Sequence, residues 1–204
     1  MKTLIGTIID KSGSMQSCVN DTIGGYNRFL AEQKALPDSA EVILVRTLFD
    51  TVVKTESPVA LSAVTELSIE NYKPDGSTAL LDAIHRTVRE LEKMATPGAR
   101  MLVVILTDGE ENSSREITLA AVKALIDEKT ATGNWTFVYM GANVDAWAQA
   151  GKIGIAFSNT AQYAATPAGT NQAFLNVSAG ATRLRSSGVG ASATYFTSDE
   201  QDAK

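Results

Sequence analysis

One cysteine, Cys18, and one histidine, His85, occur among 204 residues. That scarcity excludes an internal disulfide and any zinc site built from several cysteine or histidine ligands. No run of lysine and arginine is present, and 23 acidic against 18 basic residues leave a formal net charge of −5. Without a stripe that neutralises phosphates, generic nucleic-acid binding is not expected. No apolar run approaches the roughly 20 residues needed to cross a bilayer. The stretch from Met1 to Ile9 carries one positive charge, is too short for a signal peptide and ends at Asp10 rather than at a small-residue cleavage site. A cytoplasmic protein without membrane attachment is therefore expected. Gly-x-Ser-x-Gly, a P-loop and a Cys/His pair are also missing, which leaves no placed nucleophile or base and argues against an enzyme.

The residues that are present describe a globular α/β chain. The hydrophobic fraction is 44%, enough for a substantial core at this length. Leu4 to Ile9 form a nearly continuous apolar strand of the kind covered on both faces. Val19, Ile23, Tyr26 and Leu30 follow at helical spacing, with Pro37 as a stop. Val42 to Phe49 read as a strand ending at Asp50, and Thr51 to Thr55 as an antiparallel edge strand joined to it by a hairpin. Ser57 to Asn71 read as loop with one helical turn. The breakers from Lys73 to Thr78 lead into a helix marked by Leu81, Ile84, Val88 and Leu91.

Met101 to Leu106 are the clearest buried strand. A helix through Ile117, Ala121, Leu125 and Ile126, a strand from Trp135 to Met140, a helix from Asp145 to Ala150, a short strand near Ile153 to Phe157 and a last helix from about Gly169 to Leu184 complete the alternation. This pattern predicts a doubly wound α/β domain with a mostly parallel central sheet, one antiparallel edge strand and helices on both faces. Residues 1–184 are expected to form it. Residues 185–204, rich in Ser, Gly and Ala and ending in Asp199, Glu200 and Asp202, are expected to be a flexible tail.

In such sheets ligands sit at the carboxyl ends of the strands, near a topological switch point. Three oxygen-rich loops are expected there: Asp10 to Ser14, Gly76 to Thr78, and Thr107 to Asp108. Their hydroxyls and carboxylates suit magnesium, manganese or calcium rather than zinc or copper. Three side chains of Asp10-Lys11-Ser12-Gly13-Ser14 cannot complete the coordination shell of such an ion, so further ligands must come from elsewhere in the chain, from water or from a partner.

Asp10-x-Ser12-x-Ser14, then Thr78 in a Gly-Ser-Thr loop, then Asp108 in Thr-Asp-Gly, resembles the metal-ion-dependent adhesion site (MIDAS) of the von Willebrand factor A family over roughly residues 3 to 184. The resemblance is to stand-alone intracellular bacterial or phage members. It implies a Rossmann-like fold in which Ser12, Ser14 and Thr78 contact Mg2+ or Mn2+, with Ca2+ also possible, through hydroxyl oxygens, while Asp10 and Asp108 act through bound waters. It further implies a protein partner that presents an Asp or Glu to the metal, among them AAA-type ATPases. The first helix is expected to direct its N-terminus at the site, where its dipole favours an anion.

Two other functions are compatible with the same residues. One is a metal-dependent hydrolase or phosphoryl-transfer enzyme. The other is self-assembly, with an acid of the tail inserted into a neighbouring copy's metal site. Asp50 and Asp145 read as turn or cap residues and Glu110, Glu111 and Asn112 as a solvated loop or a border of the partner surface. Asp82 and His85 lie on the helix after Thr78, and His85 reads as structural or surface. Tyr72, Trp135 and Trp147 read as packing residues, and Cys18 as a small apolar residue in a helix. The oligomeric state is not specified by the sequence.

Overall fold

Strand β1 (Thr3–Asp10) is buried along its whole length because the sheet is covered on both sides. Leu4 and Ile8 point into one apolar core, Ile5 and Ile9 into the other, as the two-residue period of a strand requires. The computed structural model describes residues 2–142, 145–187 and 194–203. After β1 come a 3-10 segment (Gly13–Cys18), α1 (Val19–Lys34), β2 (Val42–Phe49), β3 (Val53–Thr55), β4 (Val59–Ala60), α2 (Leu80–Met94), β5 (Arg100–Thr107) and α3 (Leu119–Ala131). They are followed by β6 (Trp135–Ala142), α4 (Ala146–Lys152), β7 (Thr160–Tyr163), α5 (Pro167–Ser186) and β8 (Asp202–Ala203).

The sheet order is β3-β2-β1-β5-β6-β7-β8, with β4 also paired to β2. β1 runs parallel to both β2 and β5, and β5 to β8 continue in parallel. β3 and β4 are antiparallel to β2. The chain thus builds one side of β1 first and then crosses through α2 to the other, which puts the topological switch between β1 and β5. α1 and α5 cover one face, with Tyr26, Phe29, Phe174 and Val177 in its core. α2, α3 and α4 cover the other through Ile84, Val88, Val122, Ile126 and Ala150. α1 and α5 approach closely at Gly25, where a Cβ would lie 2.1 Å from the Phe174 ring.

The expected doubly wound architecture is observed, with three local corrections. β4 adds a second antiparallel segment to β2, within a stretch that reads as loop from its sequence. The strand expected at Ile153 to Phe157 lies instead at β7. Gly154 adopts φ +87°, which breaks an extended run there, and Ile153 and Ile155 are buried from a turn rather than from a strand. The third concerns the expected tail.

Arg185 and Ser186 still belong to α5. Arg185 donates to Asp38 Oδ2 at 3.1 Å and to Gln33 Oε1 at 2.9 Å. Farther on, Tyr195 and Phe196 are 4% and 2% exposed and pack edge-to-face, and Tyr195 donates its hydroxyl to Val177 O at 2.6 Å. Gly180 leaves the space that the Tyr195 ring occupies, since a Cβ there would stand 2.4 Å from it. Glu200 is engaged by Arg183 and completes a capping box with Thr197, so one of the acids considered for self-assembly has an intramolecular partner. Residues 188–193 lie outside the described residues. Phe196→Ala is expected to cost about 3–5 kcal/mol in chemical denaturation, as for a core phenylalanine. A loss within about 0.5 kcal/mol, typical of surface positions, would show that this segment contributes nothing to the core.

Candidate metal centre

Asp10 ends β1 with no exposed surface. Its Oδ1 accepts from the Ser12 amide at 2.6 Å and its Oδ2 from the Thr107 hydroxyl at 2.5 Å. Thr107 is the last residue of β5, so this hydrogen bond closes the switch point between the two strands. Lys11, the adjacent base, turns away to an ion pair with Asp50. Burial therefore dominates and pushes the Asp10 carboxyl up to about 6, with the charge of Asp108 adding to the rise and the Thr107 and Ser12 hydrogen bonds opposing it.

The hydroxyls gather over this carboxylate. Ser12 Oγ and Ser14 Oγ lie 3.1 Å apart, and Ser14 Oγ donates to Asp108 Oδ1 at 2.5 Å. Asp108 is also raised, by burial against the lowering effect of that bond. Gly109 lines the same space: a Cβ on it would stand 3.0 Å from Thr78 Oγ1, 3.7 Å from Ser14 Oγ and 3.8 Å from Asp10 Oδ2. Asp10, Ser12, Ser14, Thr78 and Asp108 are thus brought together. Ser12, Thr78 and Asp108 are buried, whereas Ser14 is exposed, so the cluster opens to solvent on the Ser14 side.

Three hydroxyls and two carboxylates around a space kept free by glycine fit a hard divalent cation. No group of three or more His, Cys, Asp or Glu is placed to hold a metal among the described residues. Hydroxyls thus form a large share of this donor set.

Several supporting contacts are not legible in the sequence. Tyr72 donates its hydroxyl to the Asp10 carbonyl at 2.6 Å, a positioning contact beyond simple packing. Asn112 accepts from the Thr78 amide at 2.9 Å, and its own amide returns a bond to Thr78 O at 3.1 Å. Glu111 accepts from the Leu81 amide at 3.0 Å and from Ser113 and Ser114, tying the first turn of α2 to the loop after β5. Gly76, at φ +70°, lets its carbonyl receive the Gly13 amide at 3.1 Å and packs against Thr51.

Other expected assignments can be located directly. Asp50 serves its turn through the Val52 amide, and Asp145 caps α4 through Ala148. Asp82 accepts from the Arg115, Glu116 and Ile117 amides. His85 faces Arg89 on α2. Trp135 is buried and stacks on Phe137, whereas Trp147 is partly buried beneath the exposed Phe157. The segment facing the cluster is the 3-10 run from Gly13, and α1 itself begins only at Val19.

Residues 5–174 match the family model for the von Willebrand factor type A domain, and the chain belongs to that family. A comparison with curated proteins gives no match. Among solved structures, a von Willebrand factor type A protein from Catenulispora acidiphila has 17% identity and a TM-score of 0.57 over 87% of this chain and 42% of its own. The SpRpn10 VWA domain has 11% identity and a TM-score of 0.59 over 86% of this chain and 95% of its own. Proximal thread matrix protein 1 from the mussel byssus, with a zinc-occupied MIDAS motif, has 14% identity and a TM-score of 0.62, covering 87% of this chain and 45% of its own. The chain therefore spans less than half of the first and third proteins, and at these identities the likeness shows the fold alone.

The raised Asp10 group has a testable sign. A carboxyl whose folded pKa exceeds its unfolded one stabilises the fold below the unfolded value and loses that contribution as pH rises through the folded value. In EDTA, wild type is therefore expected to lose stability relative to Asp10→Asn between about pH 4 and 7, by an amount on the order of 3 kcal/mol for a shift from 3.8 to about 6. Parallel urea titrations check this, and a pH-independent difference between the two proteins would contradict the assignment.

Proposed function

We infer that this chain is a metal-dependent protein-binding module rather than an enzyme. Ser12, Ser14 and Thr78 would hold a divalent cation by their hydroxyl oxygens, with Asp10 and Asp108 behind them acting through water. The observation that carries this reading is the convergence of those five side chains at the β1–β5 switch, open to solvent at Ser14. A cation held there supplies an electrophilic position for an anionic ligand, and neutral hydroxyl ligands leave much of its charge in place. The ligand class is an Asp or Glu side chain of a partner protein, and AAA-type ATPases are one class of partner that the family resemblance implies.

Magnesium is the favoured ion, with manganese close behind and calcium possible, because oxygen donors of this kind prefer hard cations. The zinc in the mussel protein's MIDAS shows that a related fold takes a softer ion in its own setting. No helix among the described residues is long and apolar enough to cross a membrane. We propose a cytoplasmic location, in keeping with the single free cysteine, Cys18.

Calorimetric titration with magnesium, manganese, calcium and zinc tests the metal part. One saturable site is expected, weakened at least about tenfold, or about 1.4 kcal/mol, by Ser12→Ala or Thr78→Ala. Unchanged affinity in both variants would overturn the ligand set. Partner capture with magnesium, in EDTA and with Asp10→Ala, followed by circular dichroism of the variant, tests the binding part. Capture that persists in EDTA and in the folded variant would overturn it.

A further inference from the structure

Beside the candidate centre lies a groove of about 180 Å3 with an apolar floor of Leu80, Leu81, Leu119 and Ile153. Its walls continue the two loops that carry the candidate ligands. Leu80 and Leu81 follow Thr78 after one residue and open α2, and Glu110 and Glu111 follow Asp108 by two and three residues, at most about 7 and about 11 Å of extended chain. Leu119, the first residue of α3, is 43% exposed. The groove is comparable in size to cavities of about 150 Å3 that accept a benzene ring.

We propose that this groove is the second half of the partner site and receives an apolar side chain from the same peptide segment whose carboxylate meets the metal. The inference rests on the metal-dependent reading above and adds the partner's local sequence. The continuity of the walls with the ligand loops places the groove within a few residues' reach of the cation. The charges define the segment further. Glu111 is consumed by the Leu81, Ser113 and Ser114 amides. Glu110 is exposed, and its carboxylate is held by a neutral group, Gln149 Nε2 at 2.8 Å.

Glu110 lines the groove two residues after Asp108 and brings a negative charge to it, which disfavours a second acid there. Lys152, which also lines the groove, donates to Gln149 Oε1 at 3.3 Å. The segment that fits carries one Asp or Glu, then a Leu, Ile, Met or Phe within about three residues, with neutral or basic residues between them. An apolar anchor in a desolvated pocket beside a charged contact is where binding energy concentrates.

Selection of a displayed random peptide library on the 204-residue chain, in magnesium and in EDTA, tests the proposal. Magnesium-dependent peptides are expected to pair an acid with an apolar residue at that spacing. Leu119→Lys, at an exposed position, is expected to weaken the best peptide at least about tenfold while the affinity for magnesium stays at the wild-type value. EDTA-sensitive peptides with an acid but no apolar preference, or a peptide affinity unchanged by Leu119→Lys, would overturn the groove and leave the metal reading intact. Failure to recover any EDTA-sensitive peptide would overturn both.

Discussion

A buried carboxylate with no basic partner among the described residues governs the upper edge of this sheet. Asp10 ends the central strand, receives one amide and one hydroxyl, and has its neighbouring lysine diverted to Asp50. A carboxylate in that position is costly when ionised, and the cost recurs at Asp108 across the switch point. Two raised carboxyls with three hydroxyls above them form an arrangement that a divalent cation would relieve. The same groups could be replaced by apolar residues if stability alone mattered.

The loops around these carboxyls are tied to one another more than to solvent. Tyr72 reaches the Asp10 carbonyl from the long connection before α2, Gly13 bonds to Gly76, and Asn112 grips both backbone groups of Thr78. These contacts join segments separated by 34 to 63 positions in the chain. Side chains held in this way reach a ligand with little ordering left to do, which is what preorganisation contributes to affinity. The groove along Leu80 and Leu119 borrows the same rigidity, because Glu111 fastens the start of α2 to the loop after β5.

Much of this was legible in the sequence, for reasons that can be traced to particular residues. Leu4 to Ile9 and Met101 to Leu106 are continuous apolar runs, which only a sheet covered on both faces accommodates. The spacing of Asp10, Ser12 and Ser14, with Thr78 and Asp108 at later strand and helix ends, marked the loops that converge. What stayed hidden depended on contacts between distant segments. Asn112 looks like any polar loop residue until Thr78 is beside it. Tyr72 reads as packing until its hydroxyl meets the end of β1. The strand near Ile153 was misplaced because apolar residues in a buried turn resemble a strand when Gly154's positive φ is unseen. Likewise, the Ser/Gly/Ala composition after Arg185 masked the two aromatics, Tyr195 and Phe196, that fasten the end of the chain to the core.

That fastening bears on how the molecule avoids sticking to its own kind. A parallel sheet finishing in β7 would present a row of unpaired amides and carbonyls, the template on which edge-to-edge aggregation begins. β8 pairs with Gln162 and Tyr163, and the Gln201 side chain occupies the Thr160 carbonyl just before them. The closing residues of the chain therefore act as a guard on that border. Loosening Tyr195 and Phe196 would expose it to intermolecular strand addition while leaving the carboxyl-rich rim at the ends of β1 and β5 assembled.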